Sequence, residues 1–218
     1  MSDAAGVRFG RLAQAFGLAL ALYVRLVAAT CRLSGSVSRE QVVLAFWHEF
    51  NLLALVASMT ARPDLPHASF STQGFRGVVI TTLLRRTRST IRVVPLPPEN
   101  DRSAARDFSL RMARMAADGY SLVVTPDGPF GPYRVAKPGT LIIARASGLA
   151  VLPWAVSARP SFRLGRRWDR QIVPLPFCRL RLVEGAPLRV AARERLSPRL
   201  GELQAELDRI SARAQPLP

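Results

Sequence analysis

The chain opens with a long apolar stretch and then alternates short apolar runs with segments that have one apolar face. From Leu12 to Cys31 nearly every position is apolar, broken by Arg25 and diluted by alanine. As a helix, about 20 residues span about 30 Å, roughly the hydrocarbon core of a bilayer. Arg8, Arg11, Arg25 and Arg32 flank the stretch and suit a helix lying among anionic headgroups. A soluble core helix is the alternative. A cleaved leader fits poorly, because no small-residue cleavage site precedes a clean domain start.

Gly35 and its neighbouring serines read as a loop. Val42–Trp47 is a continuous apolar run, as in a strand buried on both faces, and it ends in His48-Glu49. A second short strand is predicted at Ala68–Phe70, followed by Ser71-Thr72-Gln73-Gly74. Residues 77–86 read as a helix, Ile91–Val94 as a third strand, and Pro95–Pro98 as a break. Over Ser103–Asp118, Phe108, Met112, Met115 and Ala116 share one helical face, and Gly119 is placed to end that helix. Tyr120–Thr125 is the next strand. Pro138–Ser147 is a helix stopped by Gly148, and Ala150–Ser157 is a strand. Cys178–Glu184 alternates like a strand near an edge. Ser197-Pro198 starts a last helix, with Leu200, Leu203, Leu207 and Ile210 on one face.

Strands alternating with helices predict an α/β fold with a mainly parallel central sheet flanked by helices. Residues 1–36 are read as a membrane-associating helix and 37–218 as one α/β domain.

Charge sharpens this picture. The net charge of +16 comes almost wholly from arginine, Lys137 being the only lysine. Such a protein needs anionic surroundings, and lipid and nucleic acid are the broad candidates. Arg163–Arg170 encloses Trp168, a pairing that suits a headgroup zone. No base-reading helix or aromatic ribonucleoprotein motif accompanies it, so nucleic acid is not expected as a partner. Cys31 and Cys178 form no disulfide framework and read as thiols packed in the interior. With His48 and His67 the only histidines, no metal site is expected.

In open α/β sheets ligands bind beyond the carboxyl ends of the strands. His48-Glu49, Ser71–Gly74 and Asp127-Gly128 each follow a predicted strand, so parallel strands would bring them to one edge. A neutral imidazole at His48 can accept a proton from a hydroxyl. The stiff run Thr125–Pro132 offers a carboxylate at Asp127 and leads to two cations, Arg134 and Lys137. A plain Pro-Asp-Gly turn is the simpler reading of that run.

Several motifs occur in order: Phe46-Trp47-His48-Glu49, TPDGPFGP at 125–132, VAKPGTLIIARASGLAVLP at 135–153 and WDRQIVPLPF at 168–177. Together they resemble the lysophospholipid acyltransferase-like family, in a bacterial branch related to the 1-acylglycerol-3-phosphate acyltransferases, over roughly residues 40–190. The resemblance implies transfer of an acyl chain from a thioester, on coenzyme A or acyl carrier protein, to a lipid hydroxyl. It implies no cofactor, and a place at the cytoplasmic face of the inner membrane. His48 would be the general base.

The glycerolipid enzymes carry an acid five positions after this histidine, where this chain has Leu53, so Asp127 or Glu49 must supply it. Asp127-Gly128 matches the Glu-Gly of their acceptor motif, with Arg134 and Lys137 as phosphate-binding cations. Relatives in the bacterial branch show a Ser-Arg-Asp-Gly-Glu-like run where this chain reads Ser71-Thr72-Gln73-Gly74-Phe75. The expected site is therefore His48 and Asp127 for catalysis, with Glu49, Ser71, Gln73, Gly128, Arg134 and Lys137 binding substrate. A catalytically impaired lipid-binding protein on the same fold is the alternative.

Overall fold

The computed structural model describes residues 2–35, 37–88, 90–97 and 102–215; the end of the break expected at Pro98 lies outside them. In chain order the elements are α1 (Ser2–Thr30), β1 (Arg32–Ser34), β2 (Val43–Ala45), a 3-10 turn (His48–Phe50), α2 (Asn51–Ala61), β3 (His67–Ser71), α3 (Gly74–Thr87), β4 (Ile91–Pro95), α4 (Arg102–Ala117), β5 (Ser121–Val124), α5 (Gly139–Ser147), β6 (Val151–Arg163), β7 (Ile172–Glu184) and α6 (Leu196–Ala214). One sheet runs in the order β1-β7-β6-β2-β5-β3-β4. Its strands from β6 to β4 are mutually parallel. β7 returns antiparallel to β6, and β1 pairs parallel to β7. The chain is thus an α/β protein with a mostly parallel sheet between helices.

The central strand β2 is Val43-Leu44-Ala45, buried at every position, as a parallel strand covered on both faces requires. Several segments depart from the sequence reading: β6 runs on past Ser157 to Arg163 and β7 starts at Ile172 rather than Cys178, the two extensions pairing with each other. Arg32–Ser34, between the apolar stretch and the expected loop at Gly35, forms the edge strand β1, which leaves β7 next to the edge. A run of three residues is too short to show alternation. Another is α2, which the apolar pattern did not reveal. Leu53 to Ser58 are all buried, so the helix lacks the polar face that produces a helical period. Phe50 precedes it with no side-chain cap.

α1 packs on α3, α2 and β7. Its inner face is small: Ala13, Ala21, Val24 and Val27 are buried. At Gly17 a Cβ would lie 2.6 Å from Thr82 Cβ and 2.8 Å from the Val79 carbonyl, so only glycine lets α1 and α3 approach this closely. The helix also exposes Phe9, Leu12, Phe16, Leu22 and Leu26, with Leu22 and Leu26 opposite the buried face. The segment Phe9–Thr30 is 22 residues long with mean hydropathy 1.7. A helix apolar all round, yet packed on one side only, leaves a large surface that water solvates poorly.

Beneath the sheet's other end, Arg88 donates to the carbonyls of Ser58, Arg62, Pro63 and Leu65 and so ties down the end of α2. His67 is buried beside this cation. Its Nδ1 pairs with the Leu65 carbonyl at 2.7 Å. Burial first, then Arg88 and Arg62, push the imidazole down to about 4. His67 is therefore a neutral structural residue at ordinary pH.

Candidate active site

β2, β3 and β5 are parallel neighbours, so their carboxyl ends share one edge. The chain leaves β2 and reaches His48 at the start of the 3-10 turn; it leaves β5 and reaches Asp127. Asp127 is fully buried. Its Oδ1 accepts the backbone N–H of His48 at 3.0 Å, and its Oδ2 accepts that of Arg134 at 3.3 Å. His48 Nδ1 lies 3.5 Å from the same Oδ1 and is buried with no other partner among the described residues. One buried carboxylate thus meets both the backbone and the ring of the histidine.

The imidazole has two close neighbours, the backbone at Gly128 and the ring of Trp168. A Cβ at Gly128 would fall 2.5 Å from His48 Cε1 and 3.0 Å from Nδ1, so the loop backbone passes directly against the ring. The ring centroid of Trp168 lies 5.0 Å away, tilted 52°. Gly131, with φ +78°, is in turn pressed on Trp168, where a Cβ would be 2.8 Å from Cε3. Glycine serves there for both its conformation and its size.

Glu49 points its carboxylate into a separate cluster. It is fully buried. It pairs with Arg134 and Arg163 and accepts from Tyr133 at 2.9 Å. Gln171 donates to the Glu49 carbonyl at 2.9 Å. This cluster fastens the β6–β7 loop, residues 164–171, over the end of β2. Arg134 is therefore matched by Glu49. Lys137 donates to the Gly128 carbonyl at 3.2 Å and has no acidic partner among the described residues.

Ser71 ends β3 and Gln73 precedes α3. Both line a cavity of about 580 Å³ between α1 and α3, with Gln14, Leu18, Arg85 and Arg86 on its walls. His48 and Asp127 are not on those walls. Leu53 is wholly buried in α2, in the hydrophobic core. The structure therefore groups His48, Asp127 and Gly128, sets Glu49 and Arg134 in an adjoining ion cluster, and sends Ser71 and Gln73 elsewhere.

Trp168 and Asp169 join the site although sequence reasoning gave Trp168 to the membrane and Asp169 no role. Asp169 is buried and accepts from Nε and Nη2 of Arg167, each at 2.8 Å. Burial alone would raise its carboxyl, but hydrogen bonds and charge from Arg167, with His48 nearby, hold it below the usual range. The signal for them in the sequence is the run WDRQIVPLPF at 168–177.

No protein-family model matches the chain. An uncharacterized protein of Rickettsia prowazekii (strain Madrid E) is 29% identical over 156 residues, covering 72% of this chain and 67% of that protein. Among solved structures, the 1-acyl-sn-glycerophosphate acyltransferase PlsC from Thermotoga maritima matches over 98% of this chain and 82% of its own. Its TM-score is 0.51 and its sequence identity 16%. At that identity the likeness speaks for architecture: the chain has the α/β fold of the lysophosphatidic acid acyltransferase PlsC.

Proposed function

We propose that the protein is a membrane-associated acyltransferase that moves a fatty acyl chain from a thioester to the hydroxyl of a lysolipid or related amphiphile. The single observation that carries this reading is the pairing of His48 with the buried Asp127 at the carboxyl edge of the sheet, in a chain of acyltransferase fold. Nδ1 faces Asp127, so Nε2 is the nitrogen left for the acceptor. Nε2 takes the hydroxyl proton as the oxygen attacks the thioester carbonyl. The C–S bond then breaks, and the imidazolium returns the proton to the departing thiolate. Asp127 orients the ring and stabilises its cationic form, as a buried acid does in a triad. It thereby fills the role that an acid at position 53 has in the glycerolipid enzymes.

The exposed stripe of α1 supports placement on a membrane, and we assign residues 1–36 to that role at the cytoplasmic face of the inner membrane. Lys137, with no acidic partner at the site, is the better headgroup cation, since Arg134 is committed to Glu49. Coenzyme A or acyl carrier protein would present the thioester. A lipid-binding protein without transfer activity is the second reading, favoured by Leu53 and Gln73 in place of acids. Incubation of purified protein with radiolabelled acyl thioester and a panel of lysolipids separates the two. Labelled diacyl product supports transfer; its absence across the panel, with lysolipid still bound, supports the second reading.

A further inference from the structure

A row of arginines lies on the sheet outside the pair His48–Asp127. Arg32 of β1 is in register with Arg179 of β7, and Arg179 with Arg159 of β6. Residues paired across neighbouring strands share a sheet face, about 4.8 Å apart. Arg181 stands on the same face between Ser34 and Ser157. These arginines are exposed, and none has an acidic partner among the described residues. Like charges directly opposite one another weaken a sheet, so the row costs stability unless an anion lies across it.

Its orientation limits what that anion is. Cys178, Leu180 and Leu182 occupy the other face of β7 and are buried; Cys178 lies close to Tyr23 and Cys31, on the α1 side. A bilayer against the exposed stripe of α1 is therefore on the far side of the sheet from the row, which faces a soluble ligand. From Arg159 a groove of about 520 Å³ runs between β6 and the end of α6, past Ser161 and Arg163, to Arg134. The backbone of Arg134 binds the same Asp127 that faces His48. Along the strand, Arg159 to Arg163 is about 13 Å, of the same order as an extended pantetheine arm.

Resting on the acyl-transfer reading, we propose that this groove is the donor site. The phosphopantetheine arm of the thioester lies along β6 and points its acyl end past Arg134, whose backbone binds the Asp127 that faces His48. The anionic end, whether the phosphates of coenzyme A or the acidic surface of a carrier protein, sits on Arg159, Arg179, Arg32 and Arg181. Guanidinium forks match phosphate and carboxylate geometry, and a row of like charge beside a groove draws an anion into it.

Equilibrium binding of coenzyme A, and in a parallel arm of phosphopantetheinylated acyl carrier protein, tests this on the full chain in detergent. The double variant Arg159→Glu/Arg179→Glu is expected to weaken binding of the competent donor by about tenfold or more, less at high salt. Gly201→Ala, whose added Cβ meets nothing within 4 Å, is expected to leave it unchanged. The arm that binds identifies the source. Binding of neither probe, or equal binding by the double variant, overturns the proposal. If the double variant fails to fold, Arg159→Gln and Arg179→Gln are read singly, each weakening binding about threefold; unchanged binding in both overturns it equally. Donor binding that depends on the row, without any acyl transfer by wild type, sinks the transfer reading and leaves the groove standing. Transfer with an unchanged donor KM in the double variant sinks the groove and leaves the transfer reading standing.

Discussion

Replacing Gly128 by alanine tests how His48 is held. The added Cβ would sit 2.5 Å from His48 Cε1 and 2.9 Å from Thr125 Oγ1. Carbon atoms pack no closer than about 3.5 Å without repulsion, so the ring or the loop must give by about 1 Å. Trp168 also packs near the ring, at 5.0 Å between centroids, which limits its freedom to move. A displacement of about 1 Å from reacting geometry costs about a hundredfold in rate, or about 2.7 kcal/mol of barrier. Overpacking removes about 1 to 3 kcal/mol of stability. Steady-state transfer of labelled acyl chain, with acceptor saturating, reads the first effect; a urea unfolding midpoint reads the second. The expected result is a folded protein with kcat down about a hundredfold. Gly201→Ala is the control: nothing lies within 4 Å of its added Cβ, and it should leave kcat alone. A Gly128→Ala enzyme with kcat within about threefold of wild type would refute the claim that this glycine positions the histidine.

Other consequences follow from the same geometry. Glu49→Gln leaves Arg134 and Arg163 without their shared partner; allowing for their 24% and 43% exposure, the loss should be about 2 to 4 kcal/mol in urea unfolding. His67 is held neutral in the folded state, with its pKa lowered to about 4, while the unfolded chain protonates near 6.5. Its contribution is thus complete above about pH 6.5 and declines as pH falls toward 4, by up to about 3 kcal/mol. Comparing wild type with His67→Gln across that range should reveal a flatter profile in the variant. Leu12→Asp/Leu22→Asp places charge on the exposed stripe of α1, where both leucines face outward. The folded variant should remain in the supernatant when anionic vesicles are floated, whereas wild type rises with them.

The alternation of apolar runs with one-faced helices was enough to read the α/β class, because β2, β5 and the first half of β6 are buried and α4 and α6 keep polar outer faces. α2 escaped notice because complete burial removes the polar positions that mark a helical period. His48 and Asp127 could be anticipated from their places after strands, since parallel pairing fixes which ends converge. The roles within the cluster could not. Glu49 adjoins His48 in sequence, yet the turn carries its carboxylate to Arg134 and Arg163. Trp168 reaches His48 from a loop more than a hundred residues later, a contact set by how the β6–β7 hairpin folds back. Ser71 and Gln73 follow a neighbouring strand, but α3 begins at once and diverts them to the cavity beside α1.

The most direct measurement is a double-mutant cycle on acyl transfer, using wild type, His48→Ala, Asp127→Asn and the double variant, each checked for folding. If the pair acts as one unit, His48→Ala costs about 10² to 10⁴ in kcat, and adding Asp127→Asn to it costs little more. Transfer that survives His48→Ala undiminished, or losses that simply multiply in the double variant, would contradict the account.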